Sequence, residues 1–490
     1  MRFALFVILG LFMIPDLAQS QNRFDALRFS TQFPAGDAFT LSSGGSSAAA
    51  YTGYGSALLN PATLGMAQSS NFNIGLGLRD VNEDATFLGS TASYDDSQTS
   101  FTNVGFVYAF PTVQGSLVFG GGYNQIADFN RAYRINAFND RSSITDMFFD
   151  NDFYFDTAFN AFAIEEDDFG LFPIFREGLD TNFLGVNQTA TVTESGQLGE
   201  FTVALATEFI ESLYVGAMLG IPVGSYSYRR DFLERDTQGL YGPIETFIGG
   251  DPFTIPAPDN VILRERIDAD ITGFTARVGA VYRFLPQLSV GVSYSLPTQY
   301  NIEESYSVFI QTNYEQGGSE SDEFRGETSY KIKTPSRFNI GLATHNLPVN
   351  VTASVERVGN SSIQFRDFGD LGLEVAENDA IRDDFRDVFN IRLGATFNIS
   401  ETIQPSVGYA FLPAVSRTND NDVQFVSGGV RIGVNQNLSL DFGLQYAFFD
   451  DDQVVYDFFD YNAMDGSFKS ETVRSSVDRF HAVLGVNYRF

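Results

Sequence analysis

The 490-residue chain carries a formal net charge of −31 and contains 50 Phe, 22 Tyr and 45 Gly but no Trp and no Cys. That acidity excludes a phosphate-backbone grip, which needs clustered Lys and Arg; no thiols and only two His leave poor material for disulfides, zinc sites or a nucleophile–His enzyme. A mean hydropathy of −0.07 is too polar for a bundle of membrane helices, yet it fits strands that alternate lipid-facing and lumen-facing residues.

In chain order, Met1-Arg2, the apolar run FALFVILGLFMI and the small-residue site Ala18-Gln19-Ser20 predict a secretory signal peptide over 1–20. No later run of about 18 apolar residues offers a helical anchor, so a membrane location must come from strands. Residues 21–69 do not alternate. They are dense in Gly, Ala and Ser from Phe39 to Ala50 and again from Gly55 to Ala62, which suits a segment threaded through a crowded interior where backbones approach closely.

From residue 70 to 490 a period-two pattern repeats. Leu438, Leu440, Phe442, Leu444, Tyr446 and Phe448 alternate with Ser439, Asp441, Gly443, Gln445 and Ala447. The same pattern places Leu288, Val290, Val292 and Tyr294 on one face, and Phe389, Ile391, Leu393 and Phe397 on another strand's matching face. One face is continuously apolar and the other small or polar, as a membrane barrel with a polar lumen requires. Strands are expected at 70–80, 101–110, 115–124, 198–209, 213–229, 265–284, 288–308, 327–344, 349–358, 386–399, 403–413, 422–434, 437–449 and 475–490. The fold class is thus an all-β transmembrane antiparallel barrel of about 14 strands, in the outer membrane of a bacterial cell. Residues 80–100 either extend the first hairpin or form an extra pair.

Short turns near 111–115, 211–212, 285–287, 345–348, 400–402 and 435–437 read as periplasmic, and the long acidic segments between them as outer loops. The longest outer loop is expected at 126–197, rich in Phe148, Phe149, Phe153, Phe155, Phe159, Phe162, Phe169, Phe172 and Phe175. Those rings either build the loop's own core over the barrel mouth or offer an apolar collecting surface. Most carboxylates solvate such loops; Asp450, Asp451 and Asp452 would also suit a divalent cation.

Alternation assigns Arg79, Arg277, Arg283, Arg392 and Arg431 to the lumen, where they either pair with interior carboxylates such as Glu356 and Asp441 or meet an anionic ligand. His345 and His481 read as structural. No metal or cofactor site is expected.

Gly485, Tyr488 and terminal Phe490 resemble the C-terminal signal by which the barrel-insertion machinery recognises outer-membrane barrels. The small-residue stretch leading to Asn60-Pro61-Ala62 resembles the FadL/TodX family of outer-membrane hydrophobic-compound transporters, and the order of elements extends the resemblance over the whole chain. It implies fourteen strands and a hatch over 21–69 that carries the Asn60-Pro61-Ala62 motif; without it, the motif is a turn ending a loop. It also implies lateral release of cargo at an inward kink of the third strand. Gly120-Gly121-Gly122 are the candidate gate there, or merely make room for the hatch. The expected function is passive uptake of long-chain fatty acids or other hydrophobic compounds through the lumen and out into the lipid, with no enzyme activity. The alternative is a barrel partner in protein secretion or surface assembly.

Overall fold

The computed structural model describes residues 22–490 except 150, 177–182, 401, 420 and 460–466; the expected signal peptide lies outside the described residues. Fourteen strands close into one antiparallel barrel. They are β1 (Asn71–Phe87), β2 (Ser90–Phe110), β3 in two segments (Leu117–Asp128 and Arg131–Asn139), β4 (Val186–Ile210), β5 (Leu213–Arg235) and β6 (Pro258–Leu285). Then come β7 (Leu288–Ser295 and Gln299–Tyr314), β8 (Ser319–Lys333 and Arg337–Thr344), β9 (Val349–Val358), β10 (Val388–Phe397), β11 (Ile403–Leu412), β12 (Val423–Gly433), β13 (Leu438–Phe459) and β14 (Phe468–Arg489). Each pairs with its sequence neighbours, and β1 closes the ring on β14 from Asn71↔Arg489 to Thr86↔Arg474. No described helix is long and apolar enough to cross a membrane. The crossing is made by strands, which pair their backbone groups along the ladders of the ring.

Alternation decides which side chains meet lipid. In β1, Phe72, Ile74, Leu76 and Leu78 face outward while their neighbours are buried, and Leu205, Val223, Val292, Phe442 and Leu484 continue the band around the ring. Rings mark its edges: Tyr488 and Phe490 lie stacked at the lower rim, and Phe101, Tyr123 and Phe201 cluster at 5.0–5.8 Å near the upper one.

Several strands run further than their apolar pattern. Residues 80–100 extend the first hairpin, which turns on Leu88 and Gly89, both with positive φ. The expected 126–197 loop is shorter than anticipated, because Arg131–Asn139 and Val186–Glu194 pair with one another as strand. Two outer connections, 88–89 and 315–318, are tight turns rather than long loops. Above the membrane the apolar residues turn inward, as with Ile135, Val186, Ala190, Val192, Val261 and Leu263, and the outer face becomes polar, so the outward apolar stripe that marks a membrane strand ends there.

What remains of that loop folds over the mouth. The Asp152–Asn160 helix and the Ile164–Asp167/Gly170–Pro173 hairpin bury Phe148, Tyr154, Phe172 and Phe175 against the upper barrel. Each ring so buried contributes roughly 1.5–3 kcal/mol. Phe169 (71% exposed), Phe159 and Phe162 stay on the outside, so the loop has both an inner core and outer apolar rings.

Candidate functional site: a plugged lumen beside an interrupted ladder

The segment from Asn22 to the start of β1 fills the barrel. Helix α1 (Arg23–Ser30) starts with a capping box between Asn22 and Asp25, and α2 (Ala38–Ser42) is capped by Asp37. The other oxygen of Asp37 accepts the Gly55 amide at 3.0 Å and ties the two arms of the plug together. Small residues let backbone press on backbone. A Cβ at wall residues Gly291, Gly394, Gly408 or Gly443 would stand 2.1–2.5 Å from plug backbone atoms, so only Gly fits there.

Asn60, fully buried, is the bolt of this plug. Its Oδ1 accepts the Ala62 amide at 3.1 Å, and Pro61 opens the 3-10 turn that follows. Its Nδ2 donates to Ala48 O at 2.8 Å within the plug and lies 3.2 and 3.3 Å from Ala280 O and Val292 O of β6 and β7. The turn therefore caps a local structure and fastens it to the wall at once. Four of the five arginines assigned to the lumen are also engaged with protein groups, while Nε of Arg283 is buried without a hydrogen-bond partner. Arg431 holds Asp441 by two bonds of 2.7 Å and lies 3.9 Å over the Phe39 ring; Arg277 pairs with Glu200 at 2.8 Å and Arg392 with Glu356 at 3.1 Å. Arg79 pairs with Asp128. Asp451 and Asp452 are bound by Arg131 and Arg474, and no group of metal ligands occurs among the described residues. Gly485 lies inside, its notional Cβ 3.3 Å from Ala38, while Tyr488 and Phe490 face lipid.

Above the plug lies a chamber of about 700 Å³, lined by Phe24, Leu27 and Phe33 of the plug and by Phe129, Tyr226 and Tyr306 of the wall, with Arg131, Arg230 and Glu265 among them. Rings of Phe29, Phe129 and Tyr226 pack edge to face at 5.4–5.7 Å. The lining mixes these rings with many charged side chains, Arg28, Glu194, Asp451 and Arg479 among them, so the chamber is amphipathic, with an apolar part beside the plug helix.

Beside it one ladder of the wall ends. The β2–β3 ladder runs from Phe110↔Leu117 only as far as Asn103↔Asn124. Beyond that point β3 keeps only β4, with a register slip between Gln125 and Ala127. Asp128 takes the Asn130 amide at 3.1 Å in an Asx turn, and Gly196 opposite has φ +125°, with a notional Cβ 2.1 Å from Ser225 O. The strand is thereby turned inward until Arg131 meets Glu83 of β1 at 2.8 Å and Asp451 of β13. A small pocket of about 60 Å³ lies between Phe33, Pro34 and Ala35 of the plug and Ile126, Ala127 and Asp128 of the bend. Gly120, Gly121 and Gly122 sit just below, inside the intact ladder. Cβ atoms at Gly120 and Gly122 would stand 3.0 Å from Leu64 and 2.9 Å from the Tyr54 ring of the plug. Sequence reasoning did not single out the bend itself; its trace was Asp128-Phe129-Asn130, where polar turn formers interrupt the alternation.

A closed fourteen-strand barrel plugged from its own N-terminal segment, with a chamber above the plug, defines an outer-membrane transport barrel. The sequence profile described as outer membrane protein transport protein (OMPP1/FadL/TodX) matches residues 201–490, and the chain belongs to this family of outer-membrane transporters of hydrophobic compounds. Among solved structures, a Pseudomonas aeruginosa FadL homologue is similar at 13% identity and a TM-score of 0.56, covering 94% of this chain and 100% of that one. The P. putida toluene transporter TodX is similar at 14% identity and a TM-score of 0.53, covering 94% and 99%. These likenesses concern the fold. No curated protein matches the sequence.

Proposed function

We propose that the protein passively takes up long-chain fatty acids or other hydrophobic compounds. Cargo enters from the outer face, rests in the chamber above the plug, and leaves sideways into the lipid through a passage at the β3 bend. The observation that carries this reading is the end of the β2–β3 ladder at Asn103↔Asn124, with Phe33 lining both the chamber and the pocket at the bend. An apolar solute gains by moving from chamber to bilayer without crossing water, and its concentration gradient supplies the drive.

Ala127, 5% exposed, lines that pocket. Ala127→Trp should fill it and lower uptake of labelled oleate or toluene by cells at least fivefold, with barrel folding checked by heat-modifiable gel mobility. Normal uptake by a folded Ala127→Trp barrel would rule out this exit.

A further inference from the structure

We propose that a niche between plug and wall, below the chamber, binds a small monoanion. The wall supplies it in rows. Ser293, Asn339, Glu356 and Asn390 stand side by side across β7 to β10, and Arg277 and Arg337 flank Ser295 close by. Arg392 enters from β10, and the niche holds about 40 Å³, more than one water and enough for a chloride ion.

Charge does not balance there. Three guanidiniums (Arg277, Arg337, Arg392) face two carboxylates (Glu200, Glu356), and the plug residues at the niche, Gln32 to Ala35, Gly45, Leu58 and Leu59, bring no acid. One oxygen of Glu356 serves Arg392 at 3.1 Å, Asn390 at 3.1 Å and Arg337 at 3.5 Å. Nε and Nη1 of Arg392 and the amide of Asn339 find no hydrogen-bond partner, although these residues are 4% and 3% exposed. An uncompensated buried charge with idle donors is costly, and a monoanion would cancel the charge and take those donors together. Gln32, Phe33 and Arg337 line the chamber as well, so the anion can come from solvent or as the carboxylate end of a molecule lying in the chamber. The inference stands apart from the uptake reading, because a solvent anion would bind whether or not cargo passes.

The test uses the full protein folded in detergent, with hydrogen exchange of residues 30–48 followed at constant ionic strength as isethionate is replaced by chloride, or by hexanoate. Chloride is expected to slow exchange saturably, at least threefold, and Arg392→Gln, which brings the cluster to neutrality, should abolish the response. Asn339→Leu fills the niche without touching an ion pair and should abolish it too, which covers the case of an unfolded Arg392→Gln. A response to hexanoate alone, lost in the same variants, assigns the site to a cargo carboxylate. The proposal is overturned if neither anion slows exchange beyond isethionate, or if the response survives in both variants.

Discussion

Asn60 shows how much one side chain can fasten. It makes a cap bond inside the plug and reaches two wall carbonyls, all at zero exposure. Asn60→Ala orphans the Ala62 amide and frees the carbonyls, at a cost of about 1–3 kcal/mol. The loss should appear as faster proteolysis within 22–69 while the barrel stays heat-modifiable. At the other end of the molecule, Glu234 lies well beyond Val223, above the lipid band, and anchors the outer loop by accepting Ser143 Oγ at 2.5 Å, Ile144 N at 2.6 Å and Gln188 Nε2 at 2.6 Å. Burial pushes its carboxyl from the ordinary 4.5 up to about 7, against those three hydrogen bonds. The folded loop therefore holds its proton more tightly than the unfolded loop. The stabilisation is complete below pH 4.5, and ~3 kcal/mol of it is lost as pH rises to 7. Hydrogen exchange in 140–149 should accelerate across that window, and Glu234→Gln, which mimics the protonated form, should flatten the dependence. An unchanged slope in the variant would remove Glu234 as the cause.

At the scale of elements, β3 is the exceptional stave. Its lower half is glycine-rich and fully paired, its upper half leaves β2, and the change of direction is made by Asp128, Asn130 and Gly196. Asp128 also carries the bond to Arg79 of β1 at the pocket, at side-chain exposures of 11% and 19%. Removing one member would orphan a charge, so the pair must be removed together. Arg79→Gln with Asp128→Asn should raise uptake of a neutral aromatic compound about two- to threefold by loosening the passage, the neutral pair losing the attraction that draws β1 to the bend. Slower uptake would mean that the pair holds the passage open instead.

For the molecule as a whole, wall and plug are separable in principle. The ring closes on itself through β1 and β14, and the plug is held by side chains and close backbone approach rather than by a strand in the ladder. Deleting residues 22–66 should leave a folded barrel and expose a water-filled lumen. Planar-bilayer recordings are expected to show steady open-channel current for the deletion and none for the full chain. A silent, folded deletion barrel would show that the outer loop, with Phe148 and Tyr154 packed over the mouth, seals the lumen by itself.

The strands, their lipid faces, their number and the threaded N-terminal segment were legible in the sequence, because a bilayer imposes an unbroken apolar face with a period of two. Asn60-Pro61-Ala62 could be singled out from the sequence only by its resemblance to a hatch motif; as bare residues it reads as a turn, and its bonds to the wall needed the structure. The upper halves of β2, β3, β4 and β13 were not, because above the lipid the apolar side chains, such as Ile135, Val186, Val192 and Tyr456, turn inward and the outward apolar stripe that marks the membrane strands is lost. Nor could alternation choose partners. It placed Arg277 and Arg392 inside, but only tertiary structure set Glu200 against one and Glu356 against both Arg392 and Arg337, since those distances depend on strand register and shear. The bend of β3 belongs to that second class. Its direction comes from Asp128, Asn130 and Gly196 acting across two strands, and from Glu83 and Asp451 drawing Arg131 inward, a balance visible only once the ring has closed.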